Sequence, residues 1–206
     1  MSSLSNILVE KNEVYQKTDL TFISDNNVLG YYIRKFKQNP YRSFAAYSEN
    51  IDEIYNNNID NLIAIDGYPF QTKIKTIKPS ILKKITEYEY YLDHSKFNRG
   101  YEKLYTMLRP LVLEAHSAGI FFRLATEVKR IKNLNLDEFK QFLEALPIDS
   151  LQISIGLNVI GIGLVKQLRE EIPEKITIKA VGGINGYNRA KLLLENGADI
   201  IGSSVM

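Results

Sequence analysis

The chain contains no cysteine, which excludes disulfides, thiolate metal sites and a cysteine nucleophile, and fits a reducing compartment. Histidine is almost missing as well. His94 and His116 are the only two, and a pair of imidazoles without a thiolate argues against a zinc centre. Excess charge of one sign is also absent: 26 basic and 24 acidic side chains leave a formal charge of +2, too small a field to point to nucleic acid. The densest basic stretch, from Lys73 to Lys78 with Lys83 and Lys84, reads as the wet face of a helix and its approach loop. No apolar run nears the roughly 20 residues of a membrane span. Met1 to Glu13 is too polar to be a signal peptide. These absences lead us to expect a cytoplasmic protein with no nucleic-acid partner, no membrane partner, no metal and no cofactor.

What is present is a repeating alternation in a chain of 206 residues, 45% of them hydrophobic, a length that suits one domain over residues 1–206. In the second half, strand-like runs at Ile120–Ala125, Leu151–Ile155, Lys175–Val181 and Asp199–Ser203 alternate with helical spacing at Leu136–Leu146, Val159–Glu171 and Tyr187–Glu195. Asn196-Gly197 is a helix stop. The first half repeats the pattern less cleanly, with strands expected at Val14–Thr18, Tyr41–Ala46, Leu62–Asp66 and Thr86–Leu92. Helices fall near Asn26–Phe36, Glu49–Asn56, Ile74–Lys84 and Tyr101–Ala118.

Alternation of this kind implies crossover connections and a parallel sheet. Eight strands exceed the five or six of an open doubly wound sheet, so the expected fold is α/β, a compact (β/α)8 TIM barrel. The chain stops at Met206, directly after the eighth strand, so the last outer helix is missing from the pattern. An N-terminal segment or a partner subunit, in a homo-oligomer, is expected to cover that edge.

Two glycine motifs sit where such a barrel binds phosphate. Lys179-Ala180-Val181-Gly182-Gly183-Ile184 ends the seventh strand, and Ile201-Gly202-Ser203-Ser204 ends the eighth. Glycines let backbone N–H groups come close to an anion, and the helix that follows adds its N-terminal dipole. The loops after strands seven and eight are the usual phosphate site of the barrel. Gly182, Gly183, Gly202, Ser203 and Ser204 are therefore the candidate phosphate ligands, joined by Ser154 and Gly156 at the end of strand six. The bland alternative is that the glycines only make tight turns.

The same residues carry a family resemblance. Ile178 to Ile184, continuing through Asn196-Gly197-Ala198-Asp199-Ile200-Ile201-Gly202-Ser203-Ser204, is similar to the carboxyl-terminal signature of deoxyribose-phosphate aldolase. Asp149 to Gly156 resembles the family's strand-six segment, and Gly67-Tyr68-Pro69-Phe70 its turn after strand three. The resemblance implies cleavage of a deoxyribose phosphate through a lysine imine. Carried across, the imine lysine falls on Gln152, the neighbouring second lysine on Lys179 and the acid/base aspartate on Glu89. The aspartate of the first-strand motif falls on Gln16, while Thr18 is kept. An amide forms no imine, so the family's usual step cannot run at Gln152.

Strand periodicity sets Gln152 and Ser154 on one face and Thr177, Lys179 and Val181 on one face. If both faces point inward, Lys179 lies beside Gln152, either as an imine former or proton donor or as a buried cation paired with Glu89. Asp66, ending strand three, is a further acid to watch, and His94 follows strand four. The leading expectation is a deoxyribose-phosphate-aldolase-like lyase acting on a small phosphorylated sugar or aldehyde. The alternatives are an inactive homologue that binds a sugar phosphate or serves as an assembly partner, and a proton-transfer isomerase on the same barrel.

Overall fold

Parallel strands covered by helices are buried on both faces, so they read as apolar and aromatic runs. The interior of a closed barrel is the place where a strand can also carry charge, provided each charge finds a partner. The computed structural model describes residues 2–23, 26–67, 77–156 and 158–206, without the side chains of 2–7 and 26. Its eight parallel strands close in chain order. They are β1 (Thr18–Phe22), β2 (Ser43–Tyr47), β3 (Leu62–Gly67), β4 (Glu87–Tyr91), β5 (Phe121–Ala125), β6 (Ser150–Gln152), β7 (Thr177–Val181) and β8 (Ile200–Ser203). Asp19 of β1 pairs with Gly202 of β8, which completes the circle. The expected α/β barrel is thus the observed fold.

Helices α1 (Ser2–Gln16), α2 (Leu29–Gln38), α3 (Ile51–Tyr55), α4 (Pro79–Leu82), α5 (Tyr101–Ser117), α6 (Leu136–Ala145), α7 (Ile162–Glu171) and α8 (Tyr187–Glu195) accompany the strands. Local chemistry sets their ends. The Asn135 side chain accepts hydrogen bonds from the N–H groups of Asp137 and Glu138 at 3.0 and 3.3 Å, capping α6, whose first turn is acidic. The outer layer packs into a core that includes Phe22, Phe44, Leu108, Phe122, Phe139, Leu168 and Leu193, all fully or almost fully buried. Among the described residues no helix is long and apolar enough to cross a membrane.

Two expectations shift. The first strand begins at Thr18, and Val14 and Tyr15 belong to α1 instead. The apolar residues Leu4, Ile7, Leu8, Val14 and Tyr15 follow helical rather than strand spacing. This helix packs against α8 and β1. Glu10 accepts from the Tyr187 hydroxyl at 3.1 Å and from Lys191 Nζ at 2.9 Å, and the Tyr15 ring meets Tyr41 edge-on, centroids 5.0 Å apart. The fourth helix is the second shift: its described part is the single turn of α4, opened by Pro79. Tyr68, Pro69, Phe70 and Lys73 lie outside the described residues.

Candidate functional site

Inward-facing side chains alternate along each strand, and here they divide the barrel into a charged floor and a nearly uncharged mouth. Register brings the floor together. Gln152 is level with Lys179 on the neighbouring strand, and Glu89 with Arg123. Lys179 Nζ lies 2.8 Å from Glu89 Oε2 and 2.9 Å from Asp19 Oδ2. Arg123 reaches Glu87 at 2.6 Å and Glu89 at 3.1 Å. Arg42, at the entry to β2, closes the set on Asp19 at 2.7 Å and Glu87 at 2.5 Å. Three cations thus face three carboxylates. Lys179, Glu89, Asp19 and Gln152 are each 0% exposed.

Such a network is not a source of large net stability, because removing each ion from water costs several kcal/mol. Within it, burial and neighbouring charges act in opposite directions on Asp19, Glu87 and Arg123. Burial pushes the Asp19 carboxyl up, but Lys179, Arg42 and Arg123 outweigh it and hold its pKa at about 2. Burial also works against Glu87, and Arg123 and Arg42 together bring it below its ordinary value. Arg123 is opposed by burial and raised by the three carboxylates around it.

Above the floor the interior changes character. Ala45, Ile63, Ile65, Ala125 and Ile155 make an apolar wall with Tyr91, while the β6 to β8 side is built of glycine. Gly156, Gly182, Gly183, Gly202, Ser203 and Ser204, brought together from three loops, line one cleft of about 160 Å3. That is below the roughly 300–1,000 Å3 of a drug-sized pocket and suits a small ligand. Gly182 has φ +106° and lies so close to the next loop that an added Cβ would sit 2.1 Å from the Asn158 carbonyl oxygen. At Gly202 an added Cβ would meet Val181 at 2.6 Å and Lys179 Cε at 2.9 Å, so this glycine also leaves room for the lysine stem.

The serines play unequal parts. Ser203 donates to the Ile184 carbonyl at 2.7 Å and accepts from the N–H groups of Val205 and Met206, both at 3.2 Å. Its hydroxyl ties the end of β8 to the glycine loop. Ser154 donates to Glu127 Oε1 at 2.9 Å and accepts from Gly156 N–H at 3.1 Å. Glu127, buried, also accepts from Ile155 N–H at 3.0 Å, so it fixes the loop after β6. Ser204, half-buried, lines the cleft.

Not every sequence candidate is at the mouth. Thr18 is buried beside α1 and donates to the Val14 carbonyl at 2.7 Å. Asp66 turns away from the axis and accepts from Ser48 at 2.7 Å and Tyr88 at 2.9 Å. Gln16 ends α1 and lies against the groove beside α8. The inward carboxylate of β1 is Asp19, with Thr21 above it in the cleft. Asp19-Leu20-Thr21 has the Asp-x-Thr spacing sought at Gln16 and Thr18, three residues later. Sequence reading also passed over Arg123, Glu127 and Tyr91. Among the described residues no three His, Asp or Glu side chains are gathered so as to hold a metal ion.

No protein-family model matches the chain, and no curated protein matches its sequence. Solved structures do. The deoxyribose phosphate aldolase of Aeropyrum pernix, described as a unique tetramer, has a TM-score of 0.79 at 19% identity, over 98% of this chain and 94% of that one. An aldolase designated QR15 gives 0.77 at 17% identity over 93% and 91% of the two chains. The YdjI aldolase from Escherichia coli K12 gives 0.57 at 14% identity over 95% and 77%. At such identities the likeness is one of fold, and that fold is the barrel of the deoxyribose-phosphate aldolases.

Proposed function

We propose that the chain is an aldolase-type lyase acting on a small phosphorylated sugar or aldehyde. The phosphate would lie against the backbone of Gly182 and Gly183 and the Ser204 hydroxyl, under the N-terminus of α8. Chemistry would rest on the Glu89 and Lys179 pair below, with Lys179 as a fixed ammonium and proton source rather than an imine former. The observation that carries this reading is the double ion pair of Lys179, 2.8 Å from Glu89 and 2.9 Å from Asp19, directly beneath the glycine-walled cleft. A nucleophilic amine must be neutral and reachable. Lys179 is fully buried and held by two carboxylates, so it is not reachable in this arrangement.

Borohydride treatment with glyceraldehyde 3-phosphate or acetaldehyde, followed by mass mapping, is expected to leave Lys179 unmodified while deoxyribose 5-phosphate is cleaved. A reduced adduct on Lys179 would restore the imine reading. A second reading, a homologue that binds a sugar phosphate without turnover, is favoured by the complete burial of both Gln152 and Lys179. Thermal stabilisation by sugar phosphates with no product formed would select it. The tetrameric neighbour from Aeropyrum pernix makes a homo-oligomer the expected state in solution, which light scattering measures.

A further inference from the structure

The floor holds the charges and the cleft holds the ligand space, so a reaction needs a group that belongs to both. Tyr91 is that group. It ends β4, two residues after Glu89 on the same inward face. Its side chain lines the cleft. Among the described lining residues it is the one with a titratable side chain. Its hydroxyl oxygen accepts from Gln152 Nε2 at 3.4 Å. Gln152 thus uses its amide donor on the tyrosine, and the tyrosine O–H stays available to donate.

Two buried polar atoms of side chains next to this hydroxyl, Glu89 Oε1 and Gln152 Oε1, lack a partner of good hydrogen-bond geometry, and a third, Thr21 Oγ1, belongs to another residue lining the cleft. Unpaired buried polar atoms are costly, and each calls for a water, a ligand or a proton-transfer role to satisfy it. Glu89 is engaged by Lys179 and Arg123 through Oε2 alone, leaving Oε1 open. Burial first, and the neighbouring Glu89 charge second, raise the Tyr91 pKa well above its ordinary value. The side chain therefore stays neutral, as a relay must, and does not accumulate as tyrosinate.

We propose that Tyr91 is a catalytic residue that relays protons between a ligand in the cleft and the buried Glu89 carboxylate. In cleavage of a β-hydroxyaldehyde the substrate hydroxyl gives its proton to the Tyr91 oxygen as the Tyr91 proton passes to Glu89. The carbon–carbon bond breaks, the former hydroxyl carbon becomes an aldehyde, and the bonding electrons form the enolate of the second aldehyde. The proton stored on Glu89 returns through Tyr91 to the enolate carbon. One substrate becomes two aldehydes, and no oxidant, reductant or further reactant is consumed. The inference rests on the sugar-phosphate lyase reading and deepens it by naming the group that meets the reacting atoms.

Tyr91→Phe removes the hydroxyl and keeps the ring. The expected result is a melting profile close to wild type and a Kd for glyceraldehyde 3-phosphate within about threefold. Cleavage of deoxyribose 5-phosphate is expected to fall in kcat by roughly 100-fold or more, the scale of general acid–base catalysis. A structural role alone would move the melting profile or the Kd, not kcat by itself. Cleavage by Tyr91→Phe at the wild-type rate would overturn the relay and leave the lyase reading intact. Wild-type protein that binds glyceraldehyde 3-phosphate but cleaves nothing would overturn the lyase reading and the relay together. Absence of binding would overturn the phosphate site itself.

Discussion

The floor and the mouth of this barrel lie one layer of side chains apart and are built on opposite principles. In the floor, Lys179, Arg123 and Arg42 are matched with Asp19, Glu87 and Glu89 at 2.5 to 3.1 Å across most of their contacts. In the mouth, glycines and serines from three loops present backbone and hydroxyls. Charge inside a protein therefore need not mean a charged binding surface. The floor is a fixed field, and a ligand above it meets neutral donors and one tyrosine hydroxyl. A phosphate held by backbone N–H groups needs no lysine in the cleft, and a carboxylate pinned by two cations is shielded from direct contact with that anion.

The largest effect is expected when the floor is disturbed. Arg123→Met leaves Glu87 and Glu89 short of a cation in a fully buried position. Removing one member of a buried pair costs about 3–5 kcal/mol, so a large loss in urea-unfolding free energy is expected. A variant within about 1 kcal/mol of wild type, a size usual for surface substitutions, would show that the floor is not a coupled network.

Acid attacks the same layer more gently. The Asp19 pKa is lowered from 3.8 to about 2, a depressed folded-state value. Its contribution is therefore complete above the unfolded pKa and is lost as pH falls from about 4 towards 2, on the order of 2 kcal/mol. Denaturant titrations across that window in wild type and Asp19→Asn should show the slope in the first and its reduction in the second.

Substitutions at the mouth should spare the floor. Gly182→Ala places a Cβ 2.1 Å from the Asn158 carbonyl oxygen at a φ of +106°, which forces the cradle open. The Kd for glyceraldehyde 3-phosphate is expected to rise at least tenfold, or about 1.4 kcal/mol, as read by calorimetry. Ser204→Ala deletes one hydroxyl from the cleft, and the expected loss is about 1 kcal/mol, near fivefold in Kd. A larger effect from Ser204 than from Gly182 would mean that side chains, not backbone, carry the phosphate.

The two layers were also unequally legible in the sequence. The β7, α8 and β8 stretch could be read almost residue by residue because its signals are local. An apolar run ends in Gly182-Gly183, a helical pattern follows, and Asn196-Gly197 stops it. The glycine cradle was visible for the same reason. The floor was not, because Asp19 and Arg123 are 104 residues apart in the chain, and a lone charge in a strand carries no mark of its distant partner. Only closure of the barrel brings them together. Glu89 was found through resemblance, and Gln152 was noticed for the lysine it lacks rather than for the tyrosine it supports. Just before β1, the last turns of α1, with Val14 and Tyr15, carry apolar residues that resemble the start of a strand. An Asp-x-Thr spacing lies on β1 itself at Asp19 and Thr21, three residues after Gln16 and Thr18.

In the arrangement proposed, a phosphorylated ligand sits in the glycine cleft above a lysine that keeps its two carboxylates. A crystal structure of the protein soaked with glyceraldehyde 3-phosphate tests it most directly. Phosphate density is expected against Gly182, Gly183 and Ser204, with Lys179 Nζ still within hydrogen-bond distance of Glu89 and Asp19. Phosphate bound elsewhere, or continuous density joining Lys179 Nζ to the ligand carbon, would contradict it.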